Sequence, residues 1–181
     1  MGSDKGLLTF KNATWVQLAA DKMLSLQLSV LISINAGQLE SYSTIFSSHQ
    51  LVIDDPLLLL KGPLCGILST HIQFPNEDIL VLACDMFMME TKMLKVLIDT
   101  QKDKPPADAF VFNNNGEPEP LCGLYTAKSL TYILGLYRTG QLPKHSMKYM
   151  LEHVNTAYLP LAEEQKKYFL NFNSQGELSG L

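Results

Sequence analysis

The chain has 181 residues, which is enough for one domain with a sizeable core, and we expect residues 1–181 to form a single domain. Its 46% hydrophobic and 18% charged residues are typical of a globular protein and exclude a disordered one. The net charge of −4 predicts neither a nucleic-acid partner nor an anionic membrane partner, because both attract strongly basic surfaces.

The spacing of the cysteine, histidine and apolar residues limits the classes of protein to which the chain can belong. The three cysteines (Cys65, Cys84 and Cys122) are widely spaced and form no Cys-x-x-Cys motif, so we expect reduced thiols. The histidines show no His-x-x-x-His spacing, which argues against a zinc site. No apolar run approaches the length of a membrane span and the first residues do not resemble a signal peptide, so we expect a cytoplasmic protein.

In chain order, stripes of helical spacing alternate with short apolar runs typical of buried strands. The first half predicts, after the opening loop, a helix at 15–26, a strand at 29–35, a helix at 37–46, a strand at 50–55, a helix at 62–72 and a strand at 78–85. The second half predicts a helix at 90–101, strands at 107–112 and 121–125, helices at 126–140 and 145–154, a strand at 156–161 and a turn into a helix at 172–178. The alternation indicates an α/β fold whose sheet is mostly parallel, with helices on both faces.

Polar side chains follow several predicted strands at the point where each strand ends. Asn35 ends the first, Asp54 and Asp55 end the second, and Asp85 ends the third. Ligands of open α/β sheets bind outside the carboxyl ends of the strands, so the fold would bring these residues to one rim. Each residue could instead cap a helix or close a turn, since Asn and Asp favour both positions. Three strands that end in the same way favour a binding site.

The opening segment MGSDKGLL has the composition of a phosphate-binding loop. Gly2 and Gly6 flank Asp4 and Lys5, so the backbone can bend freely and approach a ligand closely. Such a loop normally follows a strand, and this sequence starts directly in the loop.

Four further segments follow the opening segment in order: IDDPLLLLKGPLCGI, LVLACDM, PLCGLY and LNFNSQGEL. With these segments the chain resembles the molybdenum cofactor guanylyltransferases, which are nucleotidyltransferases with a Rossmann-like domain. The resemblance runs from Met1 to about Leu178. It implies transfer of GMP from GTP to the terminal phosphate of molybdopterin, with release of pyrophosphate. It also implies that the family's first, central strand and its Gly-Gly loop are missing, so we expect an N-terminally short chain that is poorly stable and close to inactive.

The resemblance assigns the nucleotide side of the site. Lys5 matches the lysine that reaches the nucleotide phosphates, and Asp85 matches the aspartate that holds Mg²⁺, with Mn²⁺ as the alternative metal. These two are the implied catalytic residues, and both also bind the nucleotide. Asn35 and Asp55 match positions that contact the nucleotide, while Asp54 either shares the role of Asp55 or caps the turn.

Further site residues follow from the same resemblance. Gly62 and Gly66 let the turn and the helix approach the base, although tight packing alone would also explain Gly66. Asn171 and Asn173 match the C-terminal Asn-x-Asn and are placed on the molybdopterin side, where His145 stands in place of an arginine. The implied partners are GTP and molybdopterin, other proteins of molybdenum cofactor biosynthesis, and the molybdoenzymes that receive the cofactor.

Two departures from the family pattern keep other functions open. Residues 86–88 (Met-Phe-Met) lack the proline that usually follows the aspartate, and residues 144–146 (Lys-His-Ser) replace a Glu-Arg-Ser-type segment. One alternative is a related nucleotidyltransferase with another nucleotide, such as a cytidylyltransferase for the same cofactor. The other alternative is a non-catalytic nucleotide-binding protein that has lost its phosphate loop.

Overall fold

The computed structural model describes residues 4–103, 106–172 and 174–178. Its α-helices are α1 (Trp15–Leu24), α2 (Leu39–Tyr42), α3 (Pro63–Gln73), α4 (Thr91–Asp103), α5 (Ala127–Arg138) and α6 (Met147–Leu151). Its strands are β1 (Thr9–Phe10), β2 (Ala13–Thr14), β3 (Ile32–Ile34), β4 (Leu51–Ile53), β5 (Ile79–Leu82), β6 (Ala109–Asn114), β7 (Glu117–Tyr125) and β8 (Thr156–Pro160). Short 3₁₀ helices cover Lys5–Leu7, Ala36–Gln38, Ser48–Gln50, Glu163–Phe169 and Gln175–Leu178. Within these ranges no helix is long and apolar enough to cross a membrane.

The strands are arranged in three separate sheets. β1 and β2 make a short antiparallel hairpin, β3 and β4 form a parallel pair, and the other four strands form a sheet in the order β5-β7-β6-β8. The α/β fold predicted from the sequence is confirmed, with most of the predicted helices and strands in their expected places. The pairing differs in one respect: the sheet is mixed rather than mostly parallel, because β7 runs antiparallel to both β5 and β6.

The antiparallel direction of β7 comes from a tight turn between β6 and β7. Asn115 and Gly116 have positive φ angles of 54° and 92°, which is the backbone that a two-residue hairpin turn requires. The Gly116 amide donates to the Asn113 side chain at 2.6 Å and fixes the turn. Because this turn reverses the chain directly, the strand predicted at 121–125 extends back to Glu117.

The four-stranded sheet is covered by helices on both faces. Along β6, Ala109 and Val111 face one side while Phe110 and Phe112 face the other, as the two-residue period of a strand requires. The first side packs against α3, α5 and α6, and the second side packs against α4. Since full burial of a phenylalanine side chain contributes about 1.5–3 kcal/mol, this sheet carries the main core.

The segment predicted as one helix at 37–46 is instead two short pieces. A 3₁₀ turn at Ala36–Gln38 leads into α2, which has only four residues. The hydroxyl of Thr44 donates to the carbonyl of Ser41 at 2.7 Å, so a side chain competes with the helical backbone pattern just after α2. Tyr42 keeps the short helix in place, because its side chain is buried against α1 and β3.

A cleft of about 1010 Å³ separates β3 from β5. Residues 28–35 and residues 77–85 line it, together with side chains of α1 and α3. In the part of the chain that the structure describes, no strand joins the β3–β4 pair to the four-stranded sheet. That a central strand is missing stays a prediction, and the cleft is the place where such a strand would lie.

Candidate active site

The two residues predicted to be catalytic meet at the rim of the cleft. Lys5 Nζ lies 3.2 Å from Asp85 Oδ2, although 80 positions separate them in the sequence. Their side chains are 41% and 21% exposed. An ion pair at such partly exposed positions contributes only about 0–1 kcal/mol to stability. The pair is therefore weak enough to open when a charged ligand arrives.

Asp4 fixes the turn Lys5–Leu7. Its carboxylate accepts from the Gly6 amide at 2.9 Å and so caps the turn. The same carboxylate accepts from Gln38 Nε2 at 2.6 Å and from Tyr42 Oη at 3.1 Å. A Cβ atom at Gly6 would lie 2.2 Å from Tyr42 Oη, so this close approach requires glycine. Burial and the Asp4 carboxylate raise the pKa of Tyr42 far above its usual range, which keeps its hydroxyl a donor.

Asn35 lines the cleft and also caps the turn that follows β3. Its Oδ1 accepts from the Gly37 amide at 2.9 Å, and its own amide donates to Gln38 Oε1 at 2.9 Å. The structure therefore gives Asn35 the capping role that the sequence left open beside nucleotide binding. A ligand contact by this side chain would use Nδ2, because Oδ1 is engaged in the cap.

Of the two consecutive acids after β4, Asp54 is the one that lines the cleft within the described residues. Burial raises its pKa. Asp55 closes the next turn: its Oδ1 accepts from the Leu57 amide at 2.8 Å, and its own amide donates to Ser69 Oγ at 2.8 Å. Asp54 thus contributes a side chain to the cleft, and Asp55 stabilises the turn that follows.

Gly62 and Gly66 both line the cleft, and each position requires glycine for a different steric reason. Gly62 has a φ of 78° and directly precedes Pro63, the first residue of α3, so a side chain at Gly62 would be strained. A Cβ atom at Gly66 would lie 2.1 Å from Ser33 Oγ. The helix α3 therefore rests directly on β3, and tight packing accounts for Gly66.

The C-terminal segment comes close to Asp85 through the backbone. The Phe172 amide donates to the Asp85 carbonyl at 3.1 Å, and Asn171 is the exposed residue just before it. Asn173, the other member of the predicted molybdopterin pair, lies outside the described residues.

His145 lies at a different place from the other predicted site residues. Its ring packs edge-on against Tyr137, with the ring centroids 5.8 Å apart. The Leu59 amide donates to Tyr137 Oη at 2.8 Å, which places His145 beside the exposed loop between β4 and α3. His145 is not one of the described residues that line the cleft.

Gln38 and Tyr42 were not predicted from the sequence as site residues. The Asn-x-x-Gln spacing after β3 does signal a capping box, and the structure has one there. The bonds of both side chains to Asp4 span 34 and 38 positions, and no local pattern indicates them.

The carboxylate of Asp85 is the predicted metal ligand. In the described part of the chain, no group of three or more His, Cys, Asp or Glu side chains could hold a metal ion by itself. A partly exposed carboxylate fits Mg²⁺, which is usually bound by one or two carboxylates together with waters and substrate phosphates. Burial and the charge of Asp85 raise the pKa of the neighbouring Cys84 thiol to about 11.

Known proteins resemble this chain along most of its length. Residues 1–156 match the MobA-like NTP transferase domain. A probable molybdenum cofactor guanylyltransferase from Flavobacterium johnsoniae is 28% identical over 181 residues, covering 100% of this chain and 89% of the relative. A probable molybdenum cofactor guanylyltransferase from Methanocaldococcus jannaschii is 25% identical over 185 residues, covering 98% of this chain and 90% of the relative.

The solved structures agree on the fold. The crystal structure of molybdopterin-guanine dinucleotide biosynthesis protein A from Archaeoglobus fulgidus matches with a TM-score of 0.75 at 20% identity, covering 99% of this chain and 89% of that chain. The predicted nucleotidyltransferase fold and the family resemblance are both confirmed. The chain belongs to the MobA-like NTP transferase family.

Proposed function

We propose that this chain transfers GMP from GTP to the terminal phosphate of molybdopterin and releases pyrophosphate. The observation that supports this most is the Lys5–Asp85 pair at the rim of a large cleft. Nucleotidyl transfer needs positive charge on the phosphates and a carboxylate that can bind a divalent metal, because charge on the phosphates must be stabilised during transfer. The names of the relatives from Flavobacterium johnsoniae and Methanocaldococcus jannaschii supply the acceptor in this proposal.

Lys5 binds phosphate oxygens of GTP with a compact positive charge. Its ion pair with Asp85 holds the ammonium group at the rim before the substrate arrives. The turn that carries Lys5 is held from the other side by the bonds that Gln38 and Tyr42 donate to Asp4. The lysine is therefore positioned in advance, which lowers the entropic cost of bringing it to the phosphates.

Asp85 would hold Mg²⁺, with Mn²⁺ as the alternative ion. When bound, the cation supplies positive charge that stabilises the phosphates during transfer. The acceptor phosphate is itself the nucleophile, so no protein side chain has to form a covalent bond.

The walls of the cleft next to Asp85 would hold the base and the ribose. Asn35 would donate through Nδ2, and Gly62 would allow the base to approach the start of α3, whereas packing against Ser33 accounts for Gly66. Asp54 lines the cleft and is the nearer candidate for a contact with guanine or ribose. The predicted contact by Asp55 stays a prediction and would use Oδ2, because Oδ1 accepts from the Leu57 amide.

The molybdopterin side of the proposal rests on Asn171 and Asn173. Asn171 directly precedes Phe172, whose amide is bonded to Asp85, so this segment lies beside the reacting phosphates of the proposed complex. His145, whose ring packs against Tyr137 apart from the residues that line the cleft, would contact a protein partner. Such partners would be other proteins of cofactor biosynthesis and the enzymes that receive the finished cofactor.

The decisive experiment replaces Asp85 by asparagine. Asp85→Asn should lower pyrophosphate release from GTP with molybdopterin and Mg²⁺ by about 100-fold or more, because the variant loses the anionic ligand. The assay is made with and without an added N-terminal strand, and the Mg²⁺–GTP-induced shift in melting temperature is measured in parallel. Circular dichroism should show an unchanged fold.

The matched control is Asp108→Asn. Asp108 forms an ion pair with Lys128 at 3.0 Å, and neither residue lines the cleft among the described residues. This variant should keep full activity. Wild-type activity in Asp85→Asn would remove Asp85 from the mechanism. A preference for CTP over GTP in both assays would favour the cytidylyltransferase alternative.

A further inference from the structure

Asp85 lies in an irregular segment between β5 and α4. Residues 83–89, the Asp85 turns, form two consecutive turns, each closed by an amide that donates to the carbonyl three residues before it, at 3.2 and 3.1 Å. Neither closing bond uses the carbonyl of Asp85 or that of Phe87. The direction of the Asp85 side chain therefore depends in part on the other contacts that hold these two carbonyl groups.

Two distant parts of the chain bind these carbonyl groups. The Phe172 amide donates to the Asp85 carbonyl at 3.1 Å. From α1, Lys22 Nζ donates to the Phe87 carbonyl at 2.7 Å, across 65 positions of the sequence. A hydrogen bond from a charged donor is about twice as strong as one between neutral groups. The Lys22 contact is therefore the stronger of the two.

The ring of Phe87 is anchored as well. Its centroid lies 4.7 Å from that of Phe10, 6.2 Å from that of Trp15 and 6.1 Å from that of Phe172. Lys22 Nζ lies 5.7 Å from the centroid of the Phe87 ring. Aromatic pairs contribute about 0.5–1.5 kcal/mol each, and none of these three pairs involves Lys22. Without Lys22, the Phe87 ring should therefore stay packed while its carbonyl group becomes free to change direction.

The charge of Lys22 is costly at this place. Its side chain is half-buried, and burial lowers the pKa of its ammonium group. None of the ion pairs among the described residues includes Lys22, so no carboxylate in direct contact offsets the loss of water around the charge. A methionine would fill nearly the same space without that cost. A charge placed at a cost to stability indicates a role other than stability.

We propose that Lys22 is a positioning residue for the transfer reaction: its ammonium group holds the Phe87 carbonyl and thereby keeps the Asp85 carboxylate directed at the metal position. Only one residue separates Asp85 from Phe87, so a rotation of the Phe87 peptide group would also turn the backbone at Asp85. Lys22 acts through Asp85 and does not itself contact the substrate. The inference rests on the proposed function, in which Asp85 is the metal ligand.

The test compares three variants with the wild-type protein. Lys22→Met removes the donor and the charge at nearly the same side-chain length, and Lys22→Arg keeps both. Lys95→Met is the matched control, because it makes the same chemical change at an exposed lysine of α4 that is not one of the described residues lining the cleft.

Two kinds of measurement separate positioning from stability. Pyrophosphate release gives kcat, KM for GTP at saturating Mg²⁺, and the Mg²⁺ concentration at half-maximal rate. Melting temperature and hydrogen exchange at the amides of residues 85–89 are measured on the protein without Mg²⁺ or GTP, so these two readouts do not depend on transfer. A merely structural role of Lys22 would change the melting temperature without changing the Mg²⁺ dependence.

We expect Lys22→Met to lower kcat by about 10-fold and to raise the Mg²⁺ concentration at half-maximal rate by about 10-fold, as when a residue that orients a metal ligand is lost. KM for GTP should change by less than about 2-fold, because Lys22 does not contact the nucleotide. Exchange at residues 85–89 should become about 10-fold faster, while the melting temperature stays equal or rises, since a buried charge is removed. Lys22→Arg should recover most of kcat, and Lys95→Met should keep all wild-type values.

Wild-type kcat and Mg²⁺ dependence in Lys22→Met would overturn the role of Lys22 and leave the proposed guanylyl transfer in place. So would a lower melting temperature with unchanged exchange at residues 85–89. A loss confined to KM for GTP would also overturn it, because Lys22 would then bind the nucleotide directly. A wild-type protein that releases no pyrophosphate would instead overturn the proposed function, and the role of Lys22 with it.

Discussion

The four-stranded sheet and the parallel pair β3–β4 differ in how they are buried. Phe110 and Phe112 are 1% and 2% exposed and lie between layers of helices. In β3, only Ile32 and Ile34 are buried, and Ser33 faces the cleft next to α3. Stability and chemistry are thus separated in this molecule: the four-stranded half holds most of the core, and the candidate site lies where the two halves meet.

The largest effect should come from the core of the four-stranded half. Phe110→Ala should lower the free energy of unfolding by about 3–5 kcal/mol, because it leaves a large cavity in a closely packed core. Ile34→Ala in the smaller half should cost about 2 kcal/mol, since neighbours beside an open cleft can relax. Urea denaturation measures both values.

The exposed Val96 supplies the control, because it is 41% exposed on α4 and Val96→Ala should have little effect. Equal losses of unfolding free energy in Phe110→Ala and Ile34→Ala would contradict the separation of stability from chemistry. The cores of the two halves would then be equally important for stability.

An intermediate effect is expected at the boundary between the halves. Lys5→Ala should weaken GTP binding by about 10–100-fold, as expected when one charged partner of a phosphate is removed. The free energy of unfolding should change by less than about 1 kcal/mol, because the ion pair is partly exposed. Titration of GTP measures the first quantity and urea denaturation the second.

Lys128→Ala is the matched control for Lys5→Ala. It also removes a lysine from an ion pair with an aspartate, at 3.0 Å, and neither partner lines the cleft among the described residues. GTP affinity should stay at the wild-type value in this control. An equal loss of affinity in the two variants would mean that Lys5 acts only through the overall charge of the protein.

The smallest effect should come from the residues that position Lys5. Tyr42→Phe removes the hydroxyl that donates to Asp4, and it should lower stability by about 0.5–1.5 kcal/mol. GTP affinity should fall only a few-fold, since Gln38 still holds Asp4. Tyr132→Phe, at a residue 52% exposed, is the control. Unchanged affinity together with a stability loss would restrict Tyr42 to a structural role.

Most of the fold could be predicted from local patterns. Pro63 marks the start of α3, and the branched runs before Asn35 and Asp54 mark β3 and β4. The mixed sheet has a local signal as well, because Asn115-Gly116 is typical of a hairpin turn, whereas the strand–helix alternation alone predicts a mostly parallel sheet. The position of α2 could not be read in the same way, since it depends on tertiary burial of Tyr42.

The sequence predicts individual residues of the candidate site but not the contacts and distances between them. Family motifs pointed to Lys5 and Asp85 separately, and the structure brings them to 3.2 Å. The family motif pointed to Asp55, whereas Asp54 is the acid that lines the cleft, because adjacent residues differ only in which one the turn directs into the cleft. The role of Gln38 depends on a contact with Asp4 that spans 34 positions, and local patterns do not reach so far.

The contacts of Asp4 and its neighbour Lys5 also have a consequence for folding kinetics. They join positions 34, 38 and 80 residues apart, so each of them closes a long loop. Contacts of this kind form after the local helices and hairpins, and they contribute little to the folding transition state. Loss of the Asp4 carboxylate should therefore speed unfolding while the folding rate stays almost constant. We therefore expect the rim of the cleft to assemble late in folding and to open early in unfolding.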